Sequence, residues 1–141
     1  MTTPVAGYSG TPLAKKLGFK PGMRVWFSAM PDSVRAEIDP AGIGVSECAT
    51  TETRLDAAHV FVTSRAELAR LATHLRTAIA PNGFIWISWP KKASKQPTDI
   101  TEDVIREIIL PIGLVDVKVC AVDAVWSGLK LMIRRELRSP K

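Results

Sequence analysis

The sequence predicts an α/β domain: an open, mostly parallel sheet of five to six strands, helices on both faces, and a C-terminal antiparallel hairpin. Three observations carry this. Strand-like apolar runs alternate with helical patterns along the chain. The runs Ala58 to Thr63 and Phe84 to Ser88 are continuously apolar at their centres, as strands covered on both faces are. Only Asp123-Ala124 separates the last two strand-like runs, and so short a turn makes them antiparallel neighbours. A chain of 141 residues suits one domain spanning 1–141, with residues 1–7 as a loose tail.

Each element has a local reason. Thr11 can cap a short helix with Pro12 in its first position, Leu13 and Leu17 on one face, and Gly18 as the stop. Lys20-Pro21-Gly22 reads as a turn before a strand from Met23 to Met30. Val25, Trp26 and Phe27 suggest burial on both faces of that strand. Pro31-Asp32 ends it, and a short helix follows over Ser33 to Ile38. Ile43 to Cys48 is a weak strand. The roughly nine residues between it and the next strand fall short of the dozen that a parallel crossover usually takes, so it is either an edge strand or an extended loop. Ser64-Arg65-Ala66-Glu67 reads as a capping box. After it, Leu68, Leu71, Ala72, Leu75, Ala78 and Ile79 form one apolar stripe, stopped by Pro81-Asn82-Gly83. Trp89 to Thr98 is the one substantial loop, and the isomer of its Trp89-Pro90 bond is open. Thr101 caps the next helix, with Ile100 and Ile105 placed for a hydrophobic staple. Strands over Leu114 to Val122 and Val125 to Arg135 close the chain.

Composition excludes several classes. Hydrophobic residues make up 46%, too many for a disordered chain. No apolar run reaches the roughly 18 residues of a membrane span. The first ten residues lack the basic-then-apolar order of a signal peptide, so the expected location is the cytoplasm, with no membrane partner. Cys48 and Cys120 lack metal or redox spacing and read as reduced thiols in or near the core; His59 and His74 are isolated. The net charge of +5 gathers in three places. These are Lys130 to Lys141, Lys91 to Lys95, and Lys15 to Arg24. Such scatter usually means a solvated surface, with nucleic-acid binding the less favoured alternative.

The helix ending Leu75-Arg76-Thr77-Ala78-Ile79-Ala80-Pro81-Asn82-Gly83, followed by Phe84-Ile85-Trp86-Ile87-Ser88 and the closing hairpin, resembles the second half of a class I methyltransferase, a Rossmann-like fold. This covers 56–135, with Met23 to Met30 standing in for the family's first strand. The resemblance implies an acidic, glycine-rich loop after that strand. Here Ser28-Ala29-Met30-Pro31-Asp32-Ser33 has no glycine. It also implies an acid near the end of strand two, where Glu47 can stand, and a third strand-helix unit that has no counterpart. Neither a bound cofactor nor methyltransferase activity is therefore expected. Ser9-Gly10-Thr11-Pro12-Leu13-Ala14-Lys15-Lys16-Leu17-Gly18, Ser88-Trp89-Pro90-Lys91-Lys92, Thr101 to Glu107 and Trp126-Ser127-Gly128-Leu129-Lys130 resemble segments of a small uncharacterised bacterial family. That resemblance implies no mechanism.

Ligands of open α/β sheets bind beyond the carboxyl ends of the parallel strands. That rule nominates a rim made of Arg65, Trp89, Lys91, Lys92, Asp123, Trp126 and Ser127, with Tyr8, Ser9 and Thr11 reaching it from the first helix. Aromatic surface beside cations suits an anionic, partly aromatic ligand such as a nucleotide, or a single-stranded nucleic acid; a protein partner is the other occupant expected at the rim. The plainer alternative is that both tryptophans cover core ends, that Ser64 only caps, and that Asp123 only shapes a turn. Three functions stay open: a non-catalytic binding domain, a small nucleotide-dependent enzyme using Arg65 and Asp123, and a nucleic-acid module. No catalytic set or metal cluster emerges from the spacing.

Overall fold

The computed structural model describes residues 12–51 and 54–138. The expected loose tail, and Tyr8, Ser9 and Thr11 with it, lie outside those residues.

Six strands form one sheet: β1 (Arg24–Ser28), β2 (Ser46–Glu47), β3 (Leu55–Phe61), β4 (Ile79–Pro90), β5 (Leu114–Ala121) and β6 (Trp126–Ile133). Their order is β2-β1-β3-β4-β6-β5. The first four run parallel, and β6 is antiparallel to both β4 and β5. This is the mostly parallel sheet with a closing hairpin that the sequence predicts. The final strand does not extend the edge; it inserts between β4 and β5.

Helices cover both faces. On one face, α4 (Arg65–Ala78) and α5 (Glu102–Ile109) bury Leu68, Leu71, Leu75, Ile105 and Ile109 against Val60, Ile85, Ile87 and Leu131. On the other, α1 (Leu13–Leu17) and α2 (Asp32–Ile38) bury Leu13, Leu17, Val34 and Ile38 against Val25, Phe61, Phe84 and Trp86. Alternation along β4 divides its side chains between these cores, since neighbouring residues of a strand point to opposite faces.

Local signals hold where they rest on hydrogen bonds. Gly18 ends α1 at φ 86°, a conformation that favours glycine. Ser64 Oγ accepts the Glu67 amide at 3.1 Å, although the return bond of a capping box is not made. The neighbouring amide, Arg65 N–H, donates instead to Asp99 Oδ1 at 2.6 Å. Thr101 Oγ1 accepts the Val104 amide at 3.1 Å. Losing that cap removes a partner from the first turn of α5, so Thr101→Ala is expected to cost about 1 kcal/mol, read as a lower urea midpoint at unchanged slope.

Other expectations change. Pro12 precedes α1 instead of opening it. In β1 only Val25 is fully buried; Trp26 and Phe27 are half-exposed, because β2 beside them is only two residues long. Ile43 belongs to a one-turn helix, α3 (Pro40–Ile43), so the weak strand shrinks to Ser46–Glu47 at the sheet edge. Ile79 starts β4, and Pro81-Asn82-Gly83 forms a bulge within that strand, where the register slips between Leu55 and Ala57. The Trp89-Pro90 bond is trans. Both cysteines are free thiols, Cys120 buried and Cys48 half-buried. No helix among the described residues is long and apolar enough to cross a membrane.

Candidate functional site

The carboxyl ends of β3 and β4 carry a preformed cleft. The chain leaving β4 turns through a short helical turn at Lys92–Ser94 and folds back over the end of β3. Several bonds hold it there. The Lys91 amide donates to the Val125 carbonyl at 2.7 Å, Ser94 Oγ to the Lys91 carbonyl at 2.7 Å, and Thr98 Oγ1 to the Thr63 carbonyl at 2.7 Å. Asp99, on the same loop, is the acceptor for Arg65 N–H. Between this loop and the start of α5 lies a cavity of about 470 Å³. Trp89, Pro90, Pro97 and Ile100 supply apolar wall, and Lys92 and Lys95 bring cationic side chains. Glu102, the one acid lining it among the described residues, is paired with Arg106 at 3.1 Å.

The structure divides the nominated rim. Trp89 and Lys92 line the cleft. Lys91 is half-buried beside it. Trp126 does not join them. In the β4–β6 register Trp89 faces Ser127 and Trp126 faces Pro90, so the two indoles leave opposite faces of the sheet. Trp89 is 8% exposed and packs with the α4–α5 core. Trp126 packs edge-on against Phe61 at 5.2 Å in the other core. Arg65 reaches to Glu107 of α5 at 2.9 Å. Asp123 accepts the Val125 and Trp126 amides, each at 2.8 Å, and shapes the hairpin turn. Sequence reasoning missed Thr98, Ile100, Thr101 and Glu102 as lining residues. It read them as loop and cap, and the fold-back that brings them to Trp89 rests on long-range bonds that no local pattern announces.

At the end of β1 the backbone turns through Ala29 at φ 57° into α2. Met30 packs against the α1–α2 core. The acid expected near the end of strand two is engaged: Arg35 of α2 donates to both carboxylate oxygens of Glu47, at 2.8 and 2.7 Å. This bidentate pairing holds the Glu47 carboxyl below its ordinary range and raises Arg35.

A further polar pair lies buried. His59 of β3 and Ser88 of β4 are both fully buried, with His59 Nε2 2.7 Å from Ser88 Oγ. The imidazole stacks on Phe61 at 4.4 Å, and its Nδ1 has no partner. Burial pushes its pKa down to about 3, so the ring is neutral at physiological pH. Among the described residues no group of three or more His, Cys, Asp or Glu side chains is arranged to hold a metal ion.

No protein-family model and no curated protein sequence matches the chain. Solved structures do. A methyltransferase from Pyrococcus furiosus superposes with a TM-score of 0.54 at 12% identity, covering 93% of this chain and 87% of its own. The ribosomal protein L11 methylase from Lactobacillus delbrueckii subsp. bulgaricus gives 0.54 at 12% identity, covering 86% of this chain and 75% of its own. The magnesium protoporphyrin IX methyltransferase of Synechocystis PCC 6803, solved with bound S-adenosylmethionine (SAM), gives 0.55 at 11% identity, with 86% and 74% covered. The chain has a methyltransferase-like fold. At these identities the likeness establishes the fold alone. Among the described residues no helix and no further strand lies between β2 and β3, where the resemblance implies the family's third strand-helix unit.

Proposed function

We propose that this is a non-catalytic methyltransferase-like domain that binds an anionic ligand in the cleft between the end of β4 and the start of α5. The observation that carries the reading is the combination of apolar wall and cationic rim in a cavity whose loop is already hydrogen-bonded in place. A ligand entering it pays little ordering cost, which favours affinity. An indole wall beside two lysines suits a flat anion, such as a nucleotide.

The end of β1 does not suit the methyl donor that the fold family uses. A donor's ribose needs a free acid at the end of β2, and Glu47 has both oxygens on Arg35. Its carboxylate tail needs open backbone after β1, and Met30 and Pro31 follow Ala29 there. The enzyme alternative loses its named groups, because Arg65 and Asp123 have structural partners. The nucleic-acid alternative loses its two-tryptophan platform, because the indoles face opposite ways.

Thermal-shift titration with nucleoside mono- and diphosphates and with SAM tests this. A nucleotide is expected to raise the melting temperature by several degrees, and the double variant Lys92→Ala/Lys95→Ala to reduce that shift. Stabilisation by SAM, or a nucleotide shift that survives the double variant intact, would overturn the reading.

A further inference from the structure

Three lysines gather at a different place, on the sheet face covered by α1. Lys118 of β5 and Lys130 of β6 are direct cross-strand partners. Like charges set opposite each other on adjacent strands destabilise a sheet. None of Lys20, Lys118 and Lys130 takes part in a salt bridge among the described residues. The arrangement is held by other means. Lys118 Nζ donates to the Lys16 carbonyl at 3.3 Å, in the last turn of α1, where carbonyls attract cations. Lys130 Nζ sits 4.4 Å from the centre of the Phe84 ring. Partial burial and the nearby charges of Lys118 and Lys20 push the Lys130 pKa down. Repulsion that a fold retains without a compensating acid marks a surface suited to a ligand that supplies the negative charge.

The same ring connects the patch to a second cavity. Phe84 and Lys20 line a cleft of about 430 Å³ at the amino ends of the strands, with Pro21, Met23 and Asn82. Asp56, the only acid lining it among the described residues, has Oδ2 turned onto the Arg24 amide at 2.8 Å. The cavity therefore offers apolar wall and an amide side chain, with Lys20 in its lining and the Lys130 ammonium on the Phe84 ring that forms part of its wall. It lies at the opposite end of the strands from the Trp89 cleft.

We propose that Lys20, Lys118 and Lys130 bind the phosphate end of a small phosphorylated molecule whose organic body enters the Phe84–Asn82 cleft. The three ammonium groups supply charge to a phosphate or diphosphate. The cleft distinguishes a phosphorylated organic molecule from free phosphate by burying its body.

The experiment uses the full chain carrying Lys92→Ala/Lys95→Ala, so that binding at the Trp89 cleft does not contribute. ADP and inorganic pyrophosphate are titrated by calorimetry at low ionic strength. ADP is expected to bind at least tenfold more tightly than pyrophosphate. Lys130→Gln should weaken ADP at least tenfold while leaving the ligand-free melting temperature equal or higher, because it removes a repulsion. Lys20→Gln, at an exposed position that does not bear on folding, should weaken ADP as well. The proposal is overturned if ADP does not bind, if pyrophosphate binds as tightly as ADP, or if Lys20→Gln leaves ADP affinity unchanged. Failure of the Trp89 reading would show separately, as a nucleotide shift in the parent chain that Lys92→Ala/Lys95→Ala does not reduce.

Discussion

Trp86→Ala is expected to destabilise the protein by about 3–5 kcal/mol, the range for emptying an aromatic site in a packed core. Trp86 is fully buried at the centre of β4. Its indole N–H donates to the Leu17 carbonyl at 2.7 Å. That carbonyl belongs to the last turn of α1 and so lacks a helical partner. The substitution therefore removes the largest fully buried side chain and leaves a buried acceptor unpaired. Neighbouring chain has little freedom to collapse into the space. Gly128 of β6 lies so close that a Cβ there would stand 3.1 Å from the indole and 3.2 Å from Val122. Trp86→Phe keeps most of the packing and loses the hydrogen bond, so it should cost about 1–3 kcal/mol. Urea unfolding of both variants decides it. A Trp86→Ala loss below about 1 kcal/mol would mean that α1 is not fastened to the sheet through this residue. Because total stability of a domain is about 5–15 kcal/mol, the alanine variant is expected to be folded but marginal.

Much of this fold is legible in the sequence, for identifiable reasons. Helix α4 announces itself through Ser64 and a stripe from Leu68 to Leu75, and a stripe at helical spacing has few other uses. The closing hairpin follows from a short turn: the expected two-residue turn at Asp123-Ala124 is observed as the four residues 122–125, still too few for a parallel crossover. The β2 region is less legible. Ile43, Val45 and Cys48 are strand-like in composition, but Pro40 and the αL residue Asp39 start a helical turn, and only two residues are left to pair with β1. The candidate cleft is legible only in part. Trp89 and Lys92 stand out as unusual loop content. That Trp126 leaves the other face depends on which β6 residue pairs with Pro90, and a one-residue difference in register exchanges the faces. The Arg35–Glu47 pair joins a helix to an edge strand across 12 positions and has no periodic signature. The lysine patch is scattered in the sequence, with Lys20 and Lys130 in two separate charge clusters and Lys118 in neither; β5–β6 pairing sets Lys118 beside Lys130, and Lys118 reaches the last turn of α1.

Acid should weaken this protein well above the range where carboxylates titrate, and His59 is the reason. Its folded pKa of about 3 lies below the unfolded value near 6.5. A group depressed in this way adds stability in full above the unfolded pKa and loses it as pH falls from about 6.5 toward 3, because the unfolded chain takes up the proton first. Complete loss would amount to roughly 4–5 kcal/mol, and about 2 kcal/mol of it should be gone at pH 5. The cause is local. The imidazole has no exposed surface and, among the described residues, no acid paired with it; it meets Ser88, Phe61, Phe19 and Trp86. With Nδ1 unpaired, the less costly arrangement has Nε2–H donating to Ser88 Oγ and a bare lone pair at Nδ1. His59→Gln keeps a polar group near Ser88 and cannot titrate. Between pH 7.5 and pH 5 the parent chain should lose about 2 kcal/mol more than this variant in urea unfolding. The Glu47 carboxylate, held low by Arg35, begins to weaken the fold only as pH falls below 5 through the ordinary carboxylate range, so pH 5 separates the two groups. Equal losses in parent and variant would mean that His59 meets the proton in the folded state, through an opening between β3 and the layer above it. Such an opening would make the buried His59–Ser88 pair accessible to solvent in the folded protein.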